Sequence, residues 1–351
     1  MSVNGTRLSL FYGLVKVHKE GNPLQPVVST IGSATYAISK FVSESLRPYA
    51  RQIPSFIKNT EDFIAQLQNV TIAPDEVMVS FDVKSLFTSV PAKEATTAIL
   101  ETITSDSTFC ERTKLAPRTL IALLNLCLTA TNFKFRNEYY ELTNGLAMGA
   151  PASPIIATIF MGKLEDRALA TFDTPPRVWY RYVDDVFSIV KRGLVDKLLQ
   201  HLNSQHPSIQ FTVEVEKDGQ LPYMDVTVSR EDQTNKLLTT VFRKPTHTGR
   251  YLHYTSHHPD SAKRSVVCSL AKRKKYITLS DQAVQAEEQQ LRLDLTANGY
   301  PESVISKCTS SQREAPPKPI VVDSSNGVAA SIPYVKRLSK AIQRFLATLG
   351  I

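Results

Sequence analysis

Three aspartates stand where carboxylates are costly to place. Asp82 lies in the run VMVSFDV, and Asp184 and Asp185 stand side by side in YVDDV, between apolar stretches. A carboxylate on a core strand costs free energy to desolvate unless something compensates it. Two adjacent carboxylates also repel each other. A pair of Mg²⁺ ions answers both problems, because Mg²⁺ takes hard oxygen ligands and shares carboxylates with substrate phosphates. Two such ions stabilise the attacking and leaving oxygens of an in-line phosphoryl displacement. Alone, an Asp-Asp pair is more often a solvated turn, and an Asp near a strand end has structural uses. What turns these acids into a set is their order along the chain, with the glycine turn GLAMGAP (145–151) between them.

The elements that must hold the acids are legible in the hydrophobic pattern. Val77, Val79, Phe81 and Val83 alternate with Met78, Ser80 and Asp82, which predicts a strand with one buried face. Val178–Val190 reads as two short strands joined by a turn at Asp184-Asp185. Residues 117–130 and 153–169 read as apolar helices, the first followed by a hairpin around Arg136-Asn137. Ala37 to Gln52 reads as a helix, Ile209–Val215 and Tyr223–Ser229 as strands, and residues 1–35 as loop with strand pieces. Further helices are expected near 281–297 and 333–349, separated by a Pro/Ser-rich connector at 309–332. The predicted class is α+β, followed by a helical module.

Charge is concentrated in one place. The 351 residues carry 41 Lys and Arg against 33 Asp and Glu, a net +8. Between Arg243 and Lys275 nine basic residues (Arg243, Lys244, Arg250, Lys263, Arg264, Lys272, Arg273, Lys274, Lys275) face one acid, Asp260, which accounts for the whole excess. Tyr251, Tyr254 and Tyr276 are interleaved with them. A neutral body with one basic segment fits a polyanionic partner held through its phosphates; an ordinary solvated helix face is the alternative. His253, His257 and His258 have no cysteine or acid placed to complete a metal site, so packing or nucleic-acid contact is expected of them. The four cysteines (Cys110, Cys127, Cys268, Cys308) have neither zinc-ribbon spacing nor the density of a disulfide scaffold. No apolar run reaches the ~18–20 residues of a membrane span, and no signal-peptide core is evident at the start. The 42% apolar and 21% charged composition excludes wholesale disorder.

Six ordered blocks resemble the palm of a reverse transcriptase, and most closely those of Penelope-like retroelements. They are YGLVKVHKEGNPLQPVVSTIGSATYAISKF (12–41), SFDVKSLFTSVP (80–91), GLAMGAPASPIIATIFM (145–161), YRYVDDVF (180–187), IQFTVEVEKDGQLPYMDV (209–226) and FRKPTHTGRYLHYTSHHP (242–259). The resemblance implies a right-hand polymerase fold: partial fingers over 1–75, palm over 76–245, thumb over 246–308, then a connector and C-terminal helix over 309–351. It implies catalytic metal ligation by Asp82, Asp184 and Asp185 with the Val83 carbonyl, the metal being two Mg²⁺ or Mn²⁺ in their place. By the same resemblance Phe87 is a steric gate against the nucleotide 2′-hydroxyl, or else simple core packing. Met148, Gly149 and Ala150 would let backbone approach the nucleotide, as glycine allows, or form a helix-entry turn. Lys16, His18 and Lys19 would contact the triphosphate, or else stand on an exposed strand face. Lys217 matches the position of a lysine that protonates pyrophosphate, with a solvated turn lysine as the alternative. The basic segment, with Tyr251 and His253, would be the primer grip and thumb.

The implied activity is RNA-directed DNA synthesis from dNTPs, with an RNA template and a DNA primer as partners, no membrane and a nuclear location. The oligomeric state is left open. The chain departs from the family at Gln25, where arginine is usual, and at Val15, where proline is usual. The resemblance also leads one to expect an upstream fingers region and a downstream GIY-YIG endonuclease that this sequence does not contain. Two other readings stay open: a catalytically impaired remnant that only binds nucleic acid, and a structural role for the stripe Leu338, Ile342, Phe345 and Leu349.

Overall fold

The computed structural model describes residues 7–17, 21–231, 234–278, 280–310, 334–335 and 338–348. His18, Lys19, Leu349 and most of the connector lie outside the described residues. The chain divides into two compact units, Met1–Leu238 and Thr239–Ile351.

In chain order the first unit contains β1 (Ser9–Val15), β2 (Leu24–Ser29), α1 (Tyr36–Arg51), α2 (Thr60–Leu67), β3 (Glu76–Val83), α3 (Leu86–Ser89), α4 (Ala92–Thr104), α5 (Phe109–Arg112) and α6 (Pro117–Thr129). It continues with β4 (Asn132–Phe135), β5 (Glu138–Glu141), α7 (Ser153–Thr171), β6 (Val178–Tyr182), β7 (Asp185–Lys191), α8 (Val195–Ser204), β8 (Phe211–Val215), β9 (Gln220–Tyr223) and β10 (Val226–Arg230). Strand β11 (Leu237–Val241) leads into the second unit, which holds α9 (Asp260–Ile277), α10 (Asp281–Ala297), α11 (Glu302–Ser310) and α12 (Leu338–Thr348).

An antiparallel sheet of order β6-β7-β3-β8 forms the centre of the first unit. Helices α1, α4, α6 and α7 pack on one another beside it, and one apolar cluster runs through both layers, including Leu46, Val79, Phe81, Ile99, Leu124, Ile156, Trp179 and Val186. Each such side chain contributes roughly 1.5–3 kcal/mol by leaving water. Central β3 is more deeply buried than its alternation predicts: Met78 is as buried as Val77 and Val79, and only Ser80 and Asp82 open to solvent. The polar face of β3 is therefore an opening at one end of a buried strand.

The strand pieces expected within 1–35 are a regular hairpin among the described residues: β1 and β2 pair from Leu10↔Ser29 to Val15↔Leu24, and β1 also pairs with β4 in parallel. The stretch Tyr223–Ser229, expected as one strand, is a hairpin of β9 and β10, turned at Met224 (φ 55°) and Asp225. Helix α9 carries much of the basic segment and has a strongly charged composition with little apolar periodicity, which hid it from the pattern. The mixed α+β architecture with antiparallel sheets is the one the sequence predicts.

Candidate active site

Asp82 and Asp185 are directly opposite each other in the β3–β7 ladder. Side chains so placed have Cβ atoms about 4.5–5.5 Å apart, and like charges there are destabilising. Both line a cleft of about 300 Å³ with Thr212, Glu214, Tyr223 and Met224. Asp185 is not in the turn, as the sequence reading had it, but is the first residue of β7, paired with Tyr182 as well as Asp82. The turn is Val183-Asp184. A two-residue hairpin of this kind needs a positive φ at its first position, and Val183 takes φ 58°. For a β-branched residue that is strained, at a cost of about 1–3 kcal/mol. The strain is held by neighbours: the Asp184 carbonyl accepts the Val83 N–H at 3.1 Å, and the Val183 carbonyl accepts from the Arg181 guanidinium at 3.2 Å.

Arg181 and Glu165 were not singled out in the sequence. Arg181 is fully buried and bonds Glu165 on α7 at 2.7 Å. Glu165 also accepts from Ser55 (2.6 Å) and the Trp179 indole (3.0 Å), and Arg181 reaches the Thr158 carbonyl (3.2 Å). A buried pair satisfied on this many sides fixes where β6 sits on α7. The available signal was an arginine within VWYRYV and a glutamate within an apolar helix. Tyr223 was also missed. Its hydroxyl accepts the Tyr182 N–H (3.2 Å) and donates to the Asp185 carbonyl (3.0 Å), tying β9 to the acid hairpin. Burial, reinforced by the Asp185 charge, pushes its ionisation far above the ordinary tyrosine range, so it stays a donor.

The loop 145–150 brings together four more expected residues. The Leu146 N–H donates to the Phe87 carbonyl at 2.6 Å, and the Val28 N–H to the Met148 carbonyl at 2.9 Å. The Gln25 amide lies 3.2 Å from the Met148 sulfur. Gly149 (φ 112°) faces β2 so closely that a Cβ would meet the Val28 oxygen at 2.9 Å. Its glycine character is thus used against the fingers strand and not against open space. Phe87 is half-buried on α3 and packs on the core cluster. Lys16 is half-buried where β1 meets β2, its N–H on the Pro23 carbonyl.

Lys217 is not brought to the acids. The Glu216 N–H bonds the Met78 carbonyl, four residues down β3 from Asp82, so Lys217 lies more than ~13 Å away along the strand. It sits exposed in a tight turn with Asp218 and Gly219, both at positive φ. The assignment of Lys217 as a leaving-group acid gives way to the solvated turn lysine.

Whether the residues present fit a divalent cation follows from the donor set. Asp82 and Asp185 offer hard oxygens to one cleft, and Mg²⁺ is commonly held by one or two carboxylates plus substrate phosphates. Among the described residues no group of three His, Cys, Asp or Glu side chains already forms a closed metal cage. The fit is to an ion completed by substrate. The Val83 side chain is buried, so only its backbone is available to such an ion.

The matched family model is the reverse transcriptase (RNA-dependent DNA polymerase) model, over residues 17–221. The chain belongs to the reverse transcriptase family. Solved structures similar to this chain include right-hand polymerases. A Candida albicans telomerase, in complex with a fragment of telomeric RNA, matches with a TM-score of 0.57 at 10% identity, over 87% of this chain and 56% of that one. The apo telomerase of Candida tropicalis matches with 0.52 at 12% identity, over 89% of this chain and 60% of that one. A Sicinivirus RNA-dependent RNA polymerase matches with 0.54 at 9% identity, over 87% and 69%. The chain thus spans between half and two thirds of those telomerases. No curated relative matches the sequence.

A second family model, an animal helix-turn-helix domain, matches residues 250–310 of the chain, over α9, α10 and α11. In this unit the basic segment is less free than its composition implied. Arg243 makes a two-pronged ion pair with Glu287 (2.7 and 2.6 Å), Lys274 pairs with Glu288 (2.9 Å), and Lys263 is buried over the Tyr254 ring. The hydrogen bonds to these partners raise the Arg243 ionisation and lower that of Glu288. Arg273 reaches the Phe242 carbonyl at 3.3 Å. The Tyr251 N–H donates to the Asn298 side-chain oxygen, and the His253 ring bonds the Thr255 hydroxyl. Lys244, Arg250, Arg264, Lys272 and Lys275 are exposed. The compensating acids, Glu287 and Glu288, sit on α10, beyond the basic segment that ends at Lys275.

Proposed function

We propose that the chain is an RNA-directed DNA polymerase of a Penelope-like retroelement that extends a primer 3′-hydroxyl with dNTPs. The observation that carries the reading is the register of Asp82 against Asp185, with Asp184 in the strained hairpin beside them. In this reading Asp82, Asp184 and Asp185 hold Mg²⁺, which when bound would stabilise the attacking and leaving oxygens of phosphoryl transfer. Arg181 and Tyr223 keep the acid hairpin in place, and the loop 145–150 lines the nucleotide's approach beside Phe87. The exposed cations of the second unit hold a primer–template through its phosphates, without reading bases. RNA, DNA and dNTPs are thus the proposed partners, and the nucleus the proposed location.

A second reading is favoured by one observation: Gln25 turns its amide toward Met148 and offers a triphosphate no charge. Charge-assisted hydrogen bonds are roughly twice as strong as neutral ones. On this reading the chain binds primer–template but extends it poorly. Primer extension on an RNA template with Mg²⁺ separates the two. The polymerase reading expects extension by the wild type and a lower dNTP KM in Gln25→Arg. Binding without extension in both proteins would establish the second reading.

A further inference from the structure

The second unit carries two thiols on helices that pack directly on each other. Cys268 lies on the exposed side of α9, and Cys308 is half-buried on α11. Cys308 joins the apolar cluster of Val267, Leu291, Leu295, Tyr300 and Ile305. Its sulfur approaches the Arg264 carbonyl at 4.0 Å. Arg264 is one helical turn before Cys268, on the same face of α9. Cys308 therefore lies against the turn of α9 that leads into Cys268. The first unit's thiols are set apart by sequence and surroundings: Cys110 is exposed on α5, and Cys127 is buried on α6.

We propose that Cys268 and Cys308 form a reversible disulfide that ties α9 to α11, a modification site that responds to peroxide. A disulfide needs Cβ atoms about 3.5–4.5 Å apart, a separation that two helices packed directly on each other allow by side-chain rotation. The chemistry balances with hydrogen peroxide as oxidant. The Cys268 thiolate attacks one peroxide oxygen, giving the sulfenic acid and hydroxide. The Cys308 thiol then displaces that oxygen as water and forms the bond. Peroxide is reduced to water, and the two thiols lose two electrons. The order follows from exposure, since Cys268 meets solvent while burial pushes the Cys308 thiol up to about 11. A transient bond of this kind is compatible with a reducing compartment, where disulfides are mostly redox-sensing. It closes a loop around the whole of α10, so it constrains the unfolded chain.

The test is peptide mapping under non-reducing conditions of the full chain after mild hydrogen peroxide treatment. The Cys110→Ser background keeps that exposed thiol from forming intermolecular links. The expected result is an intramolecular Cys268–Cys308 peptide that dithiothreitol reverses, with a raised unfolding temperature that Cys308→Ser does not show. The exposed-site variant Cys268→Ser, which leaves the α9–α11 packing intact, is expected to lose both signals as well. Recovery of Cys268 as sulfinic acid with Cys308 still reduced would overturn the proposal. So would a link found only between two molecules.

Discussion

At the residue scale the site depends on groups that touch no substrate. Tyr223 holds the acid hairpin by one hydroxyl, which bonds the Tyr182 N–H and the Asp185 carbonyl. Tyr223→Phe leaves both without this partner in a largely buried place. It is expected to cost about 1–3 kcal/mol of stability, read from denaturant midpoints. It should also lower kcat more than it raises KM, because the acids lose their register while the nucleotide's other contacts stay. A fall in stability with unchanged kcat would make Tyr223 a packing residue only. None of this was legible beforehand, since a tyrosine in LPYMDV alternates like any strand residue. The three aspartates were legible, because acids in apolar strands violate the pattern around them. Lys217 shows the limit of that signal. Sequence position suggested proximity to the acids, but β8 runs antiparallel to β3 and carries the lysine away from Asp82.

At the element scale the Arg181–Glu165 pair fixes β6 on α7, and with it the turn that presents Asp184. Removing one partner strands a buried charge. Glu165→Ala is expected to destabilise the chain by about 3–5 kcal/mol, shown by a fall in unfolding midpoint. Replacing both partners by apolar residues of similar volume should restore much of that loss but not the hairpin's geometry. A Glu165→Ala protein as stable as wild type would remove the pair from the account. The β3 strand was readable from the alternation in its sequence, and the β6–β7 hairpin and helices α6 and α7 from apolar runs bounded by turn residues. The β9–β10 hairpin was not, because its turn is Met224-Asp225 and carries neither glycine nor proline. Helix α9 falls in the expected helical module but could not be delimited in the sequence, because seven of its 18 residues are charged and its partners on α10 and α11 do much to stabilise it.

At the scale of the whole molecule the net charge of +8 is a surface question. Ion pairs with Glu287 and Glu288 take Arg243 and Lys274 out of the set available to a polyanion, whereas Arg264, Lys272 and Lys275 remain exposed. Replacing each of these last three by alanine should reduce the log–log salt slope of primer–template binding by up to ~1 each. Arg243→Ala should instead lower thermal stability and leave the slope nearly unchanged. Equal slopes for both sets would show that the ion pairs open on binding. The claim on which the functional account rests is that the three aspartates carry phosphoryl transfer. The most direct measurement is primer extension on an RNA template by wild type and Asp184→Asn, with primer–template affinity recorded in parallel. The account predicts extension by the wild type, a loss of at least ~10²-fold in the variant, and unchanged binding. Extension by Asp184→Asn at the wild-type rate would contradict it.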